Sequence, residues 1–328
     1  MKKVIGIAIF TLALTLLLAV IEPKFLSAFN LQNLTRFIAF LSILALGEGL
    51  VILSGGIDLS VGAIAGCSAL LVAYLAGPHP LPVWLAALNG GDQMPIAIAI
   101  LLVLTLMLGV GALQGRMITR LGLQPFIVTL GGMMILRGMA NVATQGAAVG
   151  LGNDHDAFRA LGSGVVAGIL PVPVLLMIVI AAVAYMALHH TILGQYLYAI
   201  GRNEEAARFS GIDIRRWKAV AYLGSAGLAA TTGILYASYL PSVQPNFGTA
   251  YELYAIAAAV LGGCSLRGGE GTVVGILVGA TLMRLITNGI NLLGINTHWE
   301  YAVIGSVIVV AAILDAFVAR RGAKRAPA

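Results

Sequence analysis

Between Ile96 and Leu113 the chain runs for eighteen residues without a charged side chain, IAIAILLVLTLMLGVGAL. As a helix this reaches roughly 27 Å, about the thickness of a bilayer's hydrocarbon core. Counting this one, apolar stretches of about this length, several of them carrying a charge or two, lie at about 4–21, 36–54, 61–76, 95–115, 125–144, 165–188, 217–240, 250–265, 272–292 and 300–317. They predict an all-α polytopic membrane protein of about ten transmembrane helices, forming one transmembrane domain over 1–328 with a polar loop at 189–216 and a basic tail at 319–328. Charged residues make up 10% of the chain, against about 25% in soluble domains. No polar block is long enough for an attached soluble enzyme. The first run follows Met1-Lys2-Lys3 but lacks a small-x-small cleavage site, so it reads as a retained span.

Charge asymmetry orients the spans. With the N-terminus inside, fourteen Lys and Arg fall on the cytoplasmic side and three (Lys24, Arg36 and Arg159) outside. That is the positive-inside bias of a multi-span protein, and it places both termini and the 189–216 loop in the cytoplasm. The net charge of +6 is spread through loops, which argues against a nucleic-acid surface. Cys67 and Cys264 lie in apolar segments without pairing or ligand spacing and read as packing residues.

The longest polar stretch, Gly194 to Lys218, contains a short helix at about 204–210. Asn203 is a good N-cap, and Glu204 and Glu205 suit the positive end of the dipole. Glu204 can pair with Arg208 at i,i+4, and Gly211 is a natural stop. So short a helix is unstable alone, so something must hold it. It reads as a docking surface or as an ordinary connecting loop.

Two glycine turns stand out. The first, Leu53-Ser54-Gly55-Gly56-Ile57-Asp58-Leu59-Ser60-Val61-Gly62, joins spans two and three, with Asp58 or Ser60 as cap. Non-helical backbone at the membrane boundary must be buried in protein or line a water-filled cavity. It fits a broken helix beside a transport path, or a tight capped hairpin. The second runs from Arg267 to Gly275. An offset of 213 places Gly55, Gly56, Val61, Gly62 and Gly66 on Gly268, Gly269, Val274, Gly275 and Gly279, suggesting a parallel internal repeat.

Glu48, Arg137 and Arg284 fall at membrane depth, each about twelve residues into its span. A charge there costs at least about 2.5 kcal/mol, so each needs a partner, water or an interface. Glu48 and Arg284, on spans flanking the glycine turns, form a candidate ion pair. His189-His190 diverge on a helix and make no metal site, and Asp154-His155-Asp156 lies in an outer loop, where it is either a cation-binding cluster or, as the favoured reading, an ordinary solvated loop. No nucleophile–base arrangement, phosphate loop or HExxH is present, so an enzyme is disfavoured and no metal is expected.

These residues carry a resemblance. GGIDLSVG (55–62), LQPFIVTLGG (123–132) with Arg137-Gly138 beyond it, YAIGRNEEAARFSGI (198–212), YELYAIAAAVLGGCSLRGGEGTVVG (251–275) and NGINLLG (288–294) resemble the membrane permease of ribose-type monosaccharide ABC importers. The matches run in family order from about residue 30 to 315. The resemblance implies a bacterial inner-membrane subunit of about ten helices that works in pairs, with a second copy or a paralogue. It would receive sugar from an extracytoplasmic binding protein and be driven by cytoplasmic ATPase subunits that carry the ATP. This chain would bind no cofactor.

The resemblance assigns ATPase coupling to Gly201, Arg202, Asn203, Glu204, Glu205, Ala206, Ala207, Arg208 and Gly211. It places Gly55, Gly56, Asp58, Ser60, Gln124, Pro125, Phe126, Thr129, Asn288 and Gly289 near the translocation path. Arg202, Cys264, Glu48 and Arg284 depart from the family pattern. The substrate class implied is a pentose, a hexose or a related polyol. Two other readings are an ion-coupled secondary transporter using Glu48, and a membrane scaffold, which leaves the broken helices without a purpose.

Overall fold

The computed structural model describes residues 2–80, 93–152, 154–296, 298–307, 309, 310 and 313. In chain order the helices are α1 (Lys2–Ile21), α2 (Ala28–Leu53), α3 (Val61–Ala76), α4 (Ile96–Arg120), α5 (Pro125–Thr144), α6 (Asp156–Ser163), α7 (Val172–His190), α8 (Ile192–Arg202), α9 (Glu204–Phe209), α10 (Ile214–Tyr239), α11 (Tyr251–Leu261) and α12 (Val273–Leu292). Among the described residues seven helices are long and apolar enough to cross a bilayer: α1, α2, α4, α5, α7, α10 and α12. Two apolar helices, α3 and α11, are shorter. The chain is therefore a multi-pass membrane protein. Residues 299–307 are helical, and most of the rest of the predicted tenth span, with the 319–328 tail, lies outside the described residues.

The long helix α10 is the axis of the bundle, packed against α2, α3 and α4, while α12 packs against α11, α2 and α1. Small residues allow this. A Cβ at Gly115 of α4 would stand 2.9 Å from the Ala219 Cα of α10, and one at Gly47 of α2 would stand 3.1 Å from the Ser225 carbonyl. Where lipid is as apolar as leucine, such close approach supplies the helix–helix attraction. The outward faces keep large apolar side chains such as Ile9, Leu101, Met134 and Val183 exposed, as a lipid-facing surface requires.

Three expectations change. The predicted span 165–188 begins at Val172, because Val165–Val166 and Leu170–Pro171 pair as a two-residue antiparallel ladder. Ala167 and Gly168 take positive φ at its tip. A second ladder joins Val149–Gly150 to Ser242–Val243, so the chain is predominantly rather than wholly α. The second predicted span, 36–54, starts eight residues early, at Ala28, where the Ser27 hydroxyl accepts from the Asn30 amide.

Candidate functional site

The first glycine turn closes α2 with a left-handed Gly55 (φ +80). The Gly55 and Gly56 amides donate back to the Ile52 and Val51 carbonyls at 2.9 and 3.0 Å, satisfying the helix end. Asp58 then organises a buried polar knot. Its Oδ1 accepts from the Ser60 amide (2.9 Å) and hydroxyl (2.6 Å), and its Oδ2 from the Ser225 hydroxyl of α10 (3.0 Å). Ser60 has one hydroxyl proton, and at 2.6 Å it goes to Asp58. The Gln114 Oε1 lies 3.1 Å from the same hydroxyl. Glu48 accepts from the Asp58 amide at 3.1 Å. The Glu48 Oε2 and the Tyr222 hydroxyl have no hydrogen-bond partner among the described residues. Tyr222 lies against Gly56, where any side chain would collide with its hydroxyl.

The second turn also uses left-handed glycines, but the helix after it has a side-chain cap, which α3, with Ser60 at its N-cap position, lacks. Gly263 (φ +95) stops α11, Gly268 (φ +87) and Gly269 (φ +71) carry the reversal, and the Thr272 hydroxyl caps α12 by accepting from the Gly275 amide at 3.0 Å. The two turns touch. The Gly269 amide donates to the Leu53 carbonyl at 3.0 Å, and a Cβ on Gly268 would lie 2.9 Å from the Gly55 Cα.

A third segment enters this junction. Gly201, at the end of α8, packs so closely that a Cβ there would collide with the Leu53 carbonyl and the Gly269 amide. The Tyr198 hydroxyl donates to the Gly271 carbonyl at 2.8 Å. Beyond Gly201 the short helix α9 spans Glu204–Phe209. Its first turn is capped by Asn203, whose Oδ1 accepts from the Ala206 amide at 2.9 Å. Its end is closed by Gly211 (φ +81), with the Ile212 amide donating to the Ala207 carbonyl at 3.1 Å. Ala207 packs with Ile200 and Ile214 in a small buried cluster. Glu204 pairs with Lys218 at 2.6 Å as well as with Arg208 at 3.6 Å. The chain thus holds its own short helix from one side. The other side ends in Phe209, 90% exposed.

The membrane-depth charges sort differently from expectation. Arg137 pairs with Glu252 at 3.2 Å, a carboxylate the sequence reading passed over because it sits at the start of a span. Glu48 and Arg284 do not pair. Glu48 belongs to the first turn, whereas the Arg284 guanidinium lies among the Phe37, Tyr251 and Tyr254 rings at 5.6–5.9 Å. It donates to the Tyr236 hydroxyl at 3.4 Å.

A family model described as the permease component of a branched-chain amino acid transport system matches residues 30–312. The ribose import permease protein of Escherichia coli (strain K12) is 38% identical over 309 residues, which cover 93% of this chain and 92% of that relative. The corresponding protein of Bacillus subtilis (strain 168) is 40% identical over 303 residues, covering 92% and 89%. The chain belongs to the ribose-type permease family of ABC importers. This permease is also 32% identical to the D-allose transport system permease protein of Escherichia coli (strain K12) over 305 residues, 92% of this chain and 87% of that one. No solved structure matches it.

Within the permease, the residues expected near a path do not converge on one spot. Gly55, Gly56, Asp58 and Ser60 form the first turn, and Thr129 reaches it, its hydroxyl 3.5 Å from the Ile57 carbonyl. Gln124, at the N-cap of α5, and Phe126 in its first turn are exposed, and Pro125 between them is half-buried. Asn288 lies on the second half of α12, exchanging amide hydrogen bonds with Asn30 at 2.8 and 3.3 Å, and Gly289 packs on Leu18 of α1. Both cysteines are buried free thiols.

Proposed function

We propose that the permease carries a monosaccharide across the bacterial cytoplasmic membrane, driven by ATP hydrolysis on separate cytoplasmic subunits that dock on residues 201–211. The observation that supports this most is the junction of Gly201 with both glycine turns. A displacement of α9 by a docked partner reaches the ends of α2 and α12 through direct backbone contact, with no intervening flexible side chain. Phe209, presented to solvent at the end of a helix capped at both ends, is the kind of aromatic anchor that fills a partner's groove. Ala206, Glu205 and Arg202 beside it are exposed and complete the surface.

In this reading the chain has ten spans, with both termini and α9 cytoplasmic, supported by the fourteen-to-three distribution of basic residues. It works as a pair of permeases, either two copies or two paralogues, and accepts sugar from an extracytoplasmic binding protein. Its relatives are named for ribose, D-allose and galactose or methyl galactoside import, so the substrate class is a pentose or hexose. The chain binds no cofactor of its own, and ATP resides on the partner.

The test is reconstitution. Proteoliposomes holding the permease with its ATPase and binding protein should accumulate labelled D-ribose or D-galactose only when ATP is present. Accumulation by the permease alone under a sodium or proton gradient would replace this reading with an ion-coupled one.

A further inference from the structure

Arg284 is a charged group held inside a span with little to satisfy it. Its hydrogen bond to Tyr236 is long, at 3.4 Å, and its Nε is buried without a partner among the described residues. The aromatic rings around it stabilise a cation but accept no conventional hydrogen bond. Keeping an arginine so is costly unless something else uses its donors.

Beside the guanidinium lies a cavity of about 300 Å³. Its polar wall is formed by Asn33 of α2, by Thr287, Asn288 and Asn291 of α12, and by Glu300. Phe37 and Tyr251 supply ring surface. The volume is at the small end of ligand pockets, which run from about 300 to 1,000 Å³. The cavity is at the end of the bundle away from the glycine turns: Arg284 and Asn291 are in the second half of α12, and Asn33 and Phe37 in the first half of α2. In the proposed orientation that end faces the incoming substrate.

We propose that this cavity is a binding site for a neutral monosaccharide in transit, with Arg284 as its principal donor. The inference rests on the reading of the chain as a sugar permease and adds the place where the sugar is held. A sugar ring presents a C–H face and a rim of hydroxyls. The Phe37 and Tyr251 rings match the first; the second needs donors and acceptors in alternation, which Arg284, the side-chain amides, Thr287 and Glu300 supply. Asn288 is held in place by its exchange with Asn30, and Glu300 by the Tyr254 hydroxyl at 2.7 Å, so two of the polar groups are fixed before any ligand arrives. A zwitterionic amino acid could use Arg284 and Glu300, but its apolar side chain would then face a wall of amides. A sugar acid would use Arg284 alone and leave Glu300 opposed to its charge.

The test uses the full chain in lipid nanodiscs, with ligand contact read by saturation-transfer NMR. The probes are D-ribose, D-galactose, D-gluconate and L-leucine. We expect a saturable signal from one of the two neutral sugars, weakened by about tenfold to a hundredfold in Arg284→Gln, the loss of one charged hydrogen bond. Asn291→Ala, at an exposed position on the cavity wall, should weaken it less without touching the Arg284 surroundings, so the proposal survives a misfolded Arg284→Gln. Absence of a saturable signal from either neutral sugar would overturn it. So would wild-type binding in both variants, or selective binding of gluconate or leucine. Reconstituted uptake separates the two levels. ATP-dependent sugar uptake unchanged by both variants removes the site and leaves the permease reading intact, whereas uptake without the ATPase removes that reading.

Discussion

Gly201 and Gly268 meet backbone to backbone: a Cβ on Gly268 would stand 2.8 Å from the Gly201 Cα. One lies at the end of α8 and the other in the turn between α11 and α12, and Gly55 of the first turn completes the junction. Glycine is required at Gly268 twice over, by contact and by its φ of +87. Adding a methyl group to such a junction costs on the order of 1–3 kcal/mol and pushes the segments apart. Gly201→Ala is therefore expected to lower the melting temperature and to reduce ATP-dependent uptake more than it reduces ATPase association, because the transmitting contact is altered while the exposed docking side chains from Arg202 to Phe209 are unchanged. Uptake at the wild-type level would show that the junction transmits nothing.

The Arg137–Glu252 pair makes a double-mutant prediction. It joins α5 to the first turn of α11, with Glu252 almost fully buried. Removing one partner leaves the other charge uncompensated, a loss of roughly 3 kcal/mol or more, whereas replacing both with apolar groups can be close to neutral. Arg137→Leu and Glu252→Leu should each destabilise the chain in thermal unfolding, and the double variant should recover most of the loss. A double variant as unstable as the sum of the two singles would mean that the charges do not act on each other.

Much of this was legible locally. Asn203 as a cap and Gly211 as a stop follow from rules that operate within one turn of helix, and both hold to the residue. Spans such as 61–76 and 125–144 match their helices because their ends are marked by glycine, proline or polar residues. The ladder at 165–171 was missed because Val-Val-Ala-Gly-Ile-Leu-Pro is as apolar as the helix that follows, so hydropathy alone does not separate them. The partners of the buried charges were not legible. Arg137 and Glu252 are 115 positions apart, and the rings around Arg284 come from two other helices. Nothing in local pattern encodes which helices meet. Glu252 could have been found by asking for a partner to Arg137 among the few acidic residues near span ends.

At the first turn, the relevant property of Glu48 is its capacity to accept a hydrogen bond. Its Oε1 takes the Asp58 amide at 3.1 Å. Glu48→Gln keeps an acceptor in that place and should fold and transport close to wild type. Glu48→Leu leaves a buried amide unsatisfied, at a cost of about 1–3 kcal/mol. Asp58→Asn loses one of the acceptors used by Ser60 and Ser225 and should be destabilised by a similar amount. Thermal unfolding ranks the three. Loss of transport in a stably folded Glu48→Gln would instead point to its charge, and with it to ion coupling.

The outer side of α9 separates docking from folding. Phe209 contributes almost nothing to the chain's own core, being 90% exposed, so Phe209→Ala should leave the stability within about 0.5 kcal/mol of wild type. If the aromatic ring fills a groove on the ATPase, the same change should weaken association by about 2 kcal/mol or more, near thirtyfold. Glu204→Lys differs in kind. It removes the contacts to the half-buried Lys218 and the exposed Arg208 and sets a third cation beside them; Glu204 itself is at the surface, so the chain should fold with a modest loss of stability. Its effect on association should be strongly salt-dependent, whereas that of Phe209→Ala should not be. Co-purification of the ATPase with each variant at low and high salt reads both. If the Phe209→Ala permease retains its partner at wild-type affinity, the exposed ring is not the anchor, and the docking surface lies elsewhere on the loop.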